Sequence, residues 1–232
     1  MNHSTELAEL LARCPHVLLD FDGPVCAVFG GTTDRAVADQ LRANLPGLPA
    51  DVTASSDPFD VLRHAATLGP EVLAAVGREF TRLEVQAVAT ATPTAGTEEA
   101  ITALRATNHT ITIVSNNSAA AVAAYLDGHG LLPLVDGISA RTRPEPDLLK
   151  PSPYLLRRAI DILDARPSRC VLIGDSITDI AAAKAVGAAV IAYANKPGKR
   201  DRFRPLKPDV TVDTMSAVTD AARMGQPSRR LA

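Results

Sequence analysis

Asp20 and Asp22 stand two residues apart in Asp20-Phe21-Asp22-Gly23, directly after an apolar run. Strand geometry points residues two apart to one side, so both carboxylates can face one site while Phe21 turns into the core. Other candidate groups sit where later apolar runs stop, or in loops between them. They are Ser115-Asn116-Asn117, Lys150 in LLKPSP, and Gly174-Asp175-Ser176 with Asp179 four residues on. Gathered at one sheet edge, they supply three or four carboxylates, a hydroxyl and an ammonium. Oxygen-only ligands suit a hard cation such as magnesium, which keeps several waters and shares its shell with phosphate. Lysine and serine are donors for non-bridging phosphate oxygens. Without the cation and Lys150, the crowded carboxylates would repel one another and their pKa values would rise. Taken singly, each residue has a blander reading. Ser115 is a natural helix N-cap, Lys150 a solvated charge, and Asp175 and Asp179 acids favoured near a helix start.

These residues need elements to bring them together. Short, nearly continuous apolar runs at 16–21, 110–115, 170–174 and 188–192, with a weaker one at 209–212, read as strands of a parallel sheet covered on both faces. Helical periodicity fills 97–106, 118–129, 153–164 and 179–186. Strand-helix-strand alternation of this kind predicts an α/β fold with a doubly wound parallel sheet, whose ligands collect beyond the carboxyl ends of the strands. The long interval after the first strand is too long for one crossover and reads as helices at 33–44, 58–68 and 71–89. The expected division is an α/β catalytic core of residues 1–29 and 93–232, with an inserted helical cap at 30–92, bounded by Gly30-Gly31 and Pro93. Residues 224–232 are expected to fray.

Four motifs, DFDG at 20–23, TIVSNNS at 112–118, LKPSP at 149–153 and GDSITD at 174–179, occur in the order found in the haloacid dehalogenase superfamily, and the chain resembles its capped phosphatases. The resemblance covers about residues 14–29 and 93–215 and implies roles position by position. Asp20 would be the nucleophile that forms an aspartyl-phosphate, and Asp22 the general acid and then base, with a pKa near the working pH. Ser115 and Asn116, with adjacent amides, would hold the phosphoryl oxygens, and Lys150 would balance their charge. Magnesium would be bound by the Asp20 carboxylate, the Asp22 carbonyl and Asp175, with Asp179 fixing that arrangement from behind. Relatives that cleave carbon–halogen bonds lack the second aspartate, because a halide leaves without a proton. Asp22 therefore favours a phosphate monoester, and among small phosphorylated metabolites a sugar phosphate, a nucleotide or a product such as phosphoglycolate would all fit. Phosphotransfer, as in mutase relatives, uses the same core. A phospho-aspartate switch or binding protein is the non-enzymatic alternative, although receiver domains place adjacent acids on the first strand and are about half this length.

Two departures stand out. Pro24-Val25 follows DxDG where the family usually has Thr or Val and a hydrophobic residue, and Cys26-Ala27 lacks the acid many capped relatives carry there. Arg141 and Arg143 read as a solvated loop that could lengthen a positive rim. In ANKPGKR (194–200), which lacks P-loop spacing, Asn195 and Lys196 are the candidates to line the site. In the cap, Arg35, Arg42, Arg63, His64, Arg78 and Arg82 read as readily as helix surface. Cys14, Cys26 and Cys170 make neither a CxxC pair nor an even set, and His3, His16, His64, His109 and His129 lack metal-ligand spacing. With 46% hydrophobic residues, 22% charged residues and a net charge of −2, the composition is that of a soluble globular chain and gives no reason to expect nucleic acid or an anionic membrane as partner. No apolar run nears the length of a membrane span and no signal peptide is evident, so the cytoplasm is the expected place. Monomer and homodimer both stay open.

Overall fold

Strands and helices alternate as expected, and the sheet they build runs in one direction. The computed structural model describes residues 3–43 and 45–224, so the expected fraying beyond Met224 and the side chain of His3 lie outside the described residues. Helix α1 (His3–Arg13) precedes β1 (His16–Leu19). A short strand β2 (Cys26–Ala27) leads into α2 (Asp34–Arg42), α3 (Ala50–Ala54), α4 (Pro58–Thr67) and α5 (Pro70–Val88), and β3 (Thr92–Pro93) returns. Then follow α6 (Thr97–Ala106), β4 (Thr110–Ser118), α7 (Ala119–Gly128), β5 (Gly137–Arg141) and α8 (Tyr154–Ile162). The chain closes with β6 (Cys170–Gly174), α9 (Ile177–Val186), β7 (Ala189–Tyr193), α10 (Lys199–Phe203), β8 (Val210–Val212) and α11 (Met215–Met224).

Six strands pair in parallel in the order β5-β4-β1-β6-β7-β8. Their side chains divide with period two between two helical layers. Val17, Leu19, Ile111, Ile113, Val171 and Ile173 pack with α1, α6, α7 and α11, whereas Leu18, Val114, Leu172 and Val190 pack with α8 and α9. Neither face meets water, which is why these strands read as unbroken apolar runs. The chain steps from β1 outward to β4 and β5, then returns to β6 on the other side of β1. The crevice where direction reverses therefore lies over β1. Leu19 is level with Ile113 and Ile173, so Asp20, Ser115 and Asp175 all emerge within one residue of the same height.

Several elements escaped the sequence pattern, β5, α1 and α11 among them. Strand β5 was hidden by its polar residues: Ser139 is fully buried, its hydroxyl donating to Leu155 O at 2.6 Å and accepting from Arg158 Nε at 3.0 Å. Helices α1 and α11 cover one face through Leu7, Leu10, Leu11, Met215, Val218 and Ala222 at helical spacing.

The insert follows the sequence more closely. Thr33 and Asp57 cap α2 and α4 by accepting from Ala36 N–H (3.1 Å) and Phe59 N–H (2.8 Å), and Pro58 and Pro70 open α4 and α5. Phe59 and Phe80 meet edge to face at 5.0 Å inside it. Helix α3 was not expected. Its last carbonyls are held by Arg35 and Arg42: Arg42 Nη1 lies 3.0 Å from Val52 O and 2.9 Å from Ser55 O. Strands β2 and β3 pair antiparallel, Cys26 with Pro93 and Ala27 with Thr92, where the chain leaves and rejoins the sheet.

Cys14, Cys26 and Cys170 are free and buried. Among the described residues no helix is long and apolar enough to cross a membrane.

Candidate active site

Asp20 leaves the end of β1 with its carboxylate almost sealed from solvent. Its Oδ1 accepts from the Phe21 N–H at 2.8 Å and from Lys150 Nζ at 2.6 Å, and Oδ2 accepts from no described residue. Lys150, in the loop before α8, also donates to Val114 O at 3.1 Å and forms an ion pair with Asp179 Oδ1 at 2.6 Å. Asp179 has a second task. Its Oδ2 accepts from Ser176 N–H (3.0 Å) and Oγ (2.6 Å), while Ser176 Oγ accepts from the Asp179 N–H at 3.1 Å, a capping box that starts α9. Asp175, just past β6, is met by Lys199 Nζ at 2.5 Å and by Asn195 Nδ2 at 3.2 Å.

Oxygens of Asp20, Asp175 and Asp179 lie within 4.8 Å of one another. With all three carboxylates ionised, the ammoniums of Lys150 and Lys199 leave one negative charge in excess. Burial, then the charge of Asp179, lifts the Asp20 carboxyl well above its ordinary range; Lys150 pulls the other way and Asp175 adds to the rise. For Lys150, burial works against the charge, and Asp179 and Asp20 outweigh it, so its pKa rises. An all-oxygen set with surplus negative charge fits a hard cation. Gly23 allows the acids to crowd. Its φ is +105°, and a Cβ there would stand 2.4 Å from Asp175 Cγ.

Residues 15–187 match the family described as haloacid dehalogenase-like hydrolase. The chain belongs to that family. Among its relatives, a plasmid-borne phosphoglycolate phosphatase of Cupriavidus necator is 30% identical over 227 residues, covering 91% of this chain and 94% of its own. One from Photobacterium profundum is 30% identical over 131 residues, so the match spans 56% of each chain. The solved structure of CbbY from Rhodobacter sphaeroides in complex with phosphate shares the fold, at 20% identity and a TM-score of 0.68, covering 88% of this chain and 95% of that one.

In this haloacid dehalogenase-like hydrolase, the other candidate residues are placed less directly. The Asp22 carboxyl accepts from Val28 N–H at 3.0 Å; burial raises its pKa to about 6, against that hydrogen bond and with help from Asp175. Ser115 is not the helix cap. Strand β4 runs on to Ser118, whose hydroxyl accepts from Ala121 N–H at 3.3 Å, while the Ser115 hydroxyl is engaged by Asn117. Asn116 turns its carboxamide to the Lys150 main chain, accepting from its N–H at 2.7 Å and donating to its carbonyl at 3.2 Å. Lys196 is exposed, and its charge only partly offsets the burial that raises the pKa of Asp22 and Asp34. Lys199, three residues on at the start of α10, is the lysine that reaches Asp175. The solvated-loop reading fails for Arg141, which ends β5 and is buried against Glu84, but holds for Arg143, exposed with Glu145 3.9 Å away. Pro24 sits in a buried turn whose carbonyls are tied to residues returning from the insert: Thr94 Oγ1 donates to Gly23 O at 2.6 Å and Thr97 Oγ1 to Pro24 O at 2.5 Å. A missing N–H leaves that turn intact.

Sequence reasoning passed over Lys199 and Glu84. For Lys199 no spacing rule points to a lysine beyond the motif. For Glu84 a signal existed: it interrupts the stripe Val76, Phe80, Leu83, Ala87, a charge where the helix needs an apolar residue.

Proposed function

We propose that this chain is a magnesium-dependent phosphatase that hydrolyses a small phosphate monoester through an aspartyl-phosphate on Asp20. The observation that carries the reading is Lys150 pinned between Asp20 and Asp179, with Asp175 completing a cluster one charge too negative. Asp20, Asp175 and the main chain at Asp22 would hold the cation, with Asp179 behind them. When bound, magnesium supplies charge neutralisation for the phosphoryl oxygens.

Lys150 occupies Asp20 Oδ1 and leaves Oδ2 as the attacking oxygen. As the Oδ2–phosphorus bond forms and the ester P–O bond breaks, Asp22 gives its proton to the leaving alkoxide. Water then attacks phosphorus, Asp22 takes its proton, and the carboxylate of Asp20 departs. A pKa near 6 suits Asp22 to both steps. Neighbouring amides, and Ser115 once its hydroxyl turns from Asn117 Oδ1, would hold the phosphoryl oxygens. We read residues 1–29 and 93–232 as the catalytic core and 30–92 as a cap that selects the leaving group. The names of the Cupriavidus and Photobacterium relatives make phosphoglycolate the first ester to try.

The test is phosphate release from an aryl phosphate, with magnesium, with chelator, and with Asp20→Asn alongside. Magnesium-dependent release abolished in the variant is the expected result. Acid-labile phosphorylation of Asp20 without turnover would overturn hydrolysis in favour of a switch or transferase.

A further inference from the structure

Glu84 lies on α5, in the insert, and is fully buried. Its hydrogen-bond donors all belong to the core: Asn117 Nδ2 at 3.2 Å, Ser118 N–H at 3.0 Å and Arg141 Nη2 at 2.5 Å. Arg141 in turn stacks its guanidinium 4.6 Å from the Phe80 ring centre and donates from Nε to Asn116 O at 3.1 Å. Asn116 grips both polar atoms of the Lys150 main chain, and Lys150 reaches Asp20 and Asp179. A second branch runs through Asn117, whose carboxamide oxygen accepts from Ser115 Oγ at 3.1 Å. Buried ion pairs are poor sources of stability, since apolar groups of the same volume often do as well or better. What this pair supplies is direction. Its hydrogen bonds to the core end on Asn116, Asn117 and Ser118, all within three residues of Ser115, and Asn116 is the residue that clamps Lys150.

We infer that Glu84 and Arg141 are a positioning pair through which helix α5 of the insert sets the placement of Lys150 and Ser115. The inference rests on the phosphatase reading above. Neither residue touches the reacting atoms. Misplacing a reacting group by about 1 Å can cost on the order of 100-fold in rate, so the effect falls on turnover rather than on affinity.

Glu84→Gln keeps the volume and removes the charge. Steady-state kinetics with magnesium on an aryl and an alkyl phosphate should show kcat reduced about 10- to 100-fold by the same factor on both esters, with KM within about threefold. The double variant Glu84→Gln/Asn116→Ala should lose no more than the worse single variant, because both act along one chain of contacts. Arg82→Ala, on the exposed side of the same helix, should stay within about twofold of the unaltered chain. If Glu84→Gln does not fold, Arg141→Lys keeps the charge, forfeits the Nε contact to Asn116 and reads the same loss. Unchanged kcat in a folded variant, losses that multiply in the double variant, or a loss that differs between the two esters would each overturn the inference while the phosphatase reading stands. No turnover by the unaltered chain would overturn both.

Discussion

Two buried charge clusters lie a few residues apart along the sheet edge, and they are built to opposite rules. Around Glu84 one carboxylate meets one guanidinium, and both oxygens have donors: Asn117 Nδ2 on Oε1, with Ser118 N–H and Arg141 on Oε2. Around Asp20 three carboxylates share two ammoniums, and Asp20 Oδ2 is left without a donor among the described residues. The first cluster is complete and can only hold. The second carries a surplus charge and an open oxygen, which on the proposed phosphatase reading would take up a cation and attack phosphorus. Burial alone does not separate a strut from a reactive centre; charge balance does.

Removing an acid from each cluster should therefore have opposite consequences. Asp20→Asn is expected to cut phosphate release by at least about 10⁴-fold, as loss of a nucleophile does, while leaving the thermal midpoint of the metal-free chain unchanged or higher because crowding is relieved. A clear fall in that midpoint would show that Asp20 is part of a balanced network after all. Glu84→Ala should do the reverse in stability, costing about 3–5 kcal/mol in urea unfolding because Arg141 is left buried without its partner. A cost under about 1 kcal/mol would mean that water reaches Arg141 and the contrast is lost.

Asp22 supplies the next largest effect. Its carboxyl titrates near 6 in the folded chain against an ordinary 3.8, so the folded state binds the proton more tightly than the unfolded state. That stability is present in full below the ordinary value and is lost as pH rises through about 4 to 6, a change of at most about 3 kcal/mol. Thermal unfolding in chelator from pH 4 to 8 should show Asp22→Asn gaining on the parent chain across that window, with parallel curves counting against a buried, uncharged Asp22. The smallest shift concerns Lys199, whose ammonium would compete with a bound cation for Asp175 Oδ2. Lys199→Met should tighten magnesium binding about tenfold in calorimetry, or ~1.4 kcal/mol, and weaker binding would make Lys199 a support for the site instead.

Legibility divided along the same line. Asp20 and Asp175 were readable because each follows an apolar run whose parallel register brings them level, Asp179 because it stands in the first turn after Asp175, and Lys150 because it opens a Lys-Pro turn. Strand β5 was not, since its buried Ser139 is satisfied by α8, a partner no local pattern reveals. Ser115 and Ser118 were confused because both precede the same helix, and only the extra length of β4 assigns the cap to Ser118. Arg141 looked like a loop residue because the acid that buries it stands 57 residues away in the insert.

The sequence by itself determined the α/β layering, the helical insert and the order of acids and lysine along the strands, because hydrophobic period and turn chemistry are local properties of the chain. Tertiary structure alone decided which side chains face the crevice and which are taken by neighbours. Asn116 is turned to the main chain of Lys150, Lys199 rather than Lys196 meets Asp175, and Glu84 crosses from the insert to the end of β4. Those outcomes depend on pairing a buried donor with an acceptor far along the chain. Packing makes that choice, because an unpaired buried charge is costly and the nearest partner in space satisfies it.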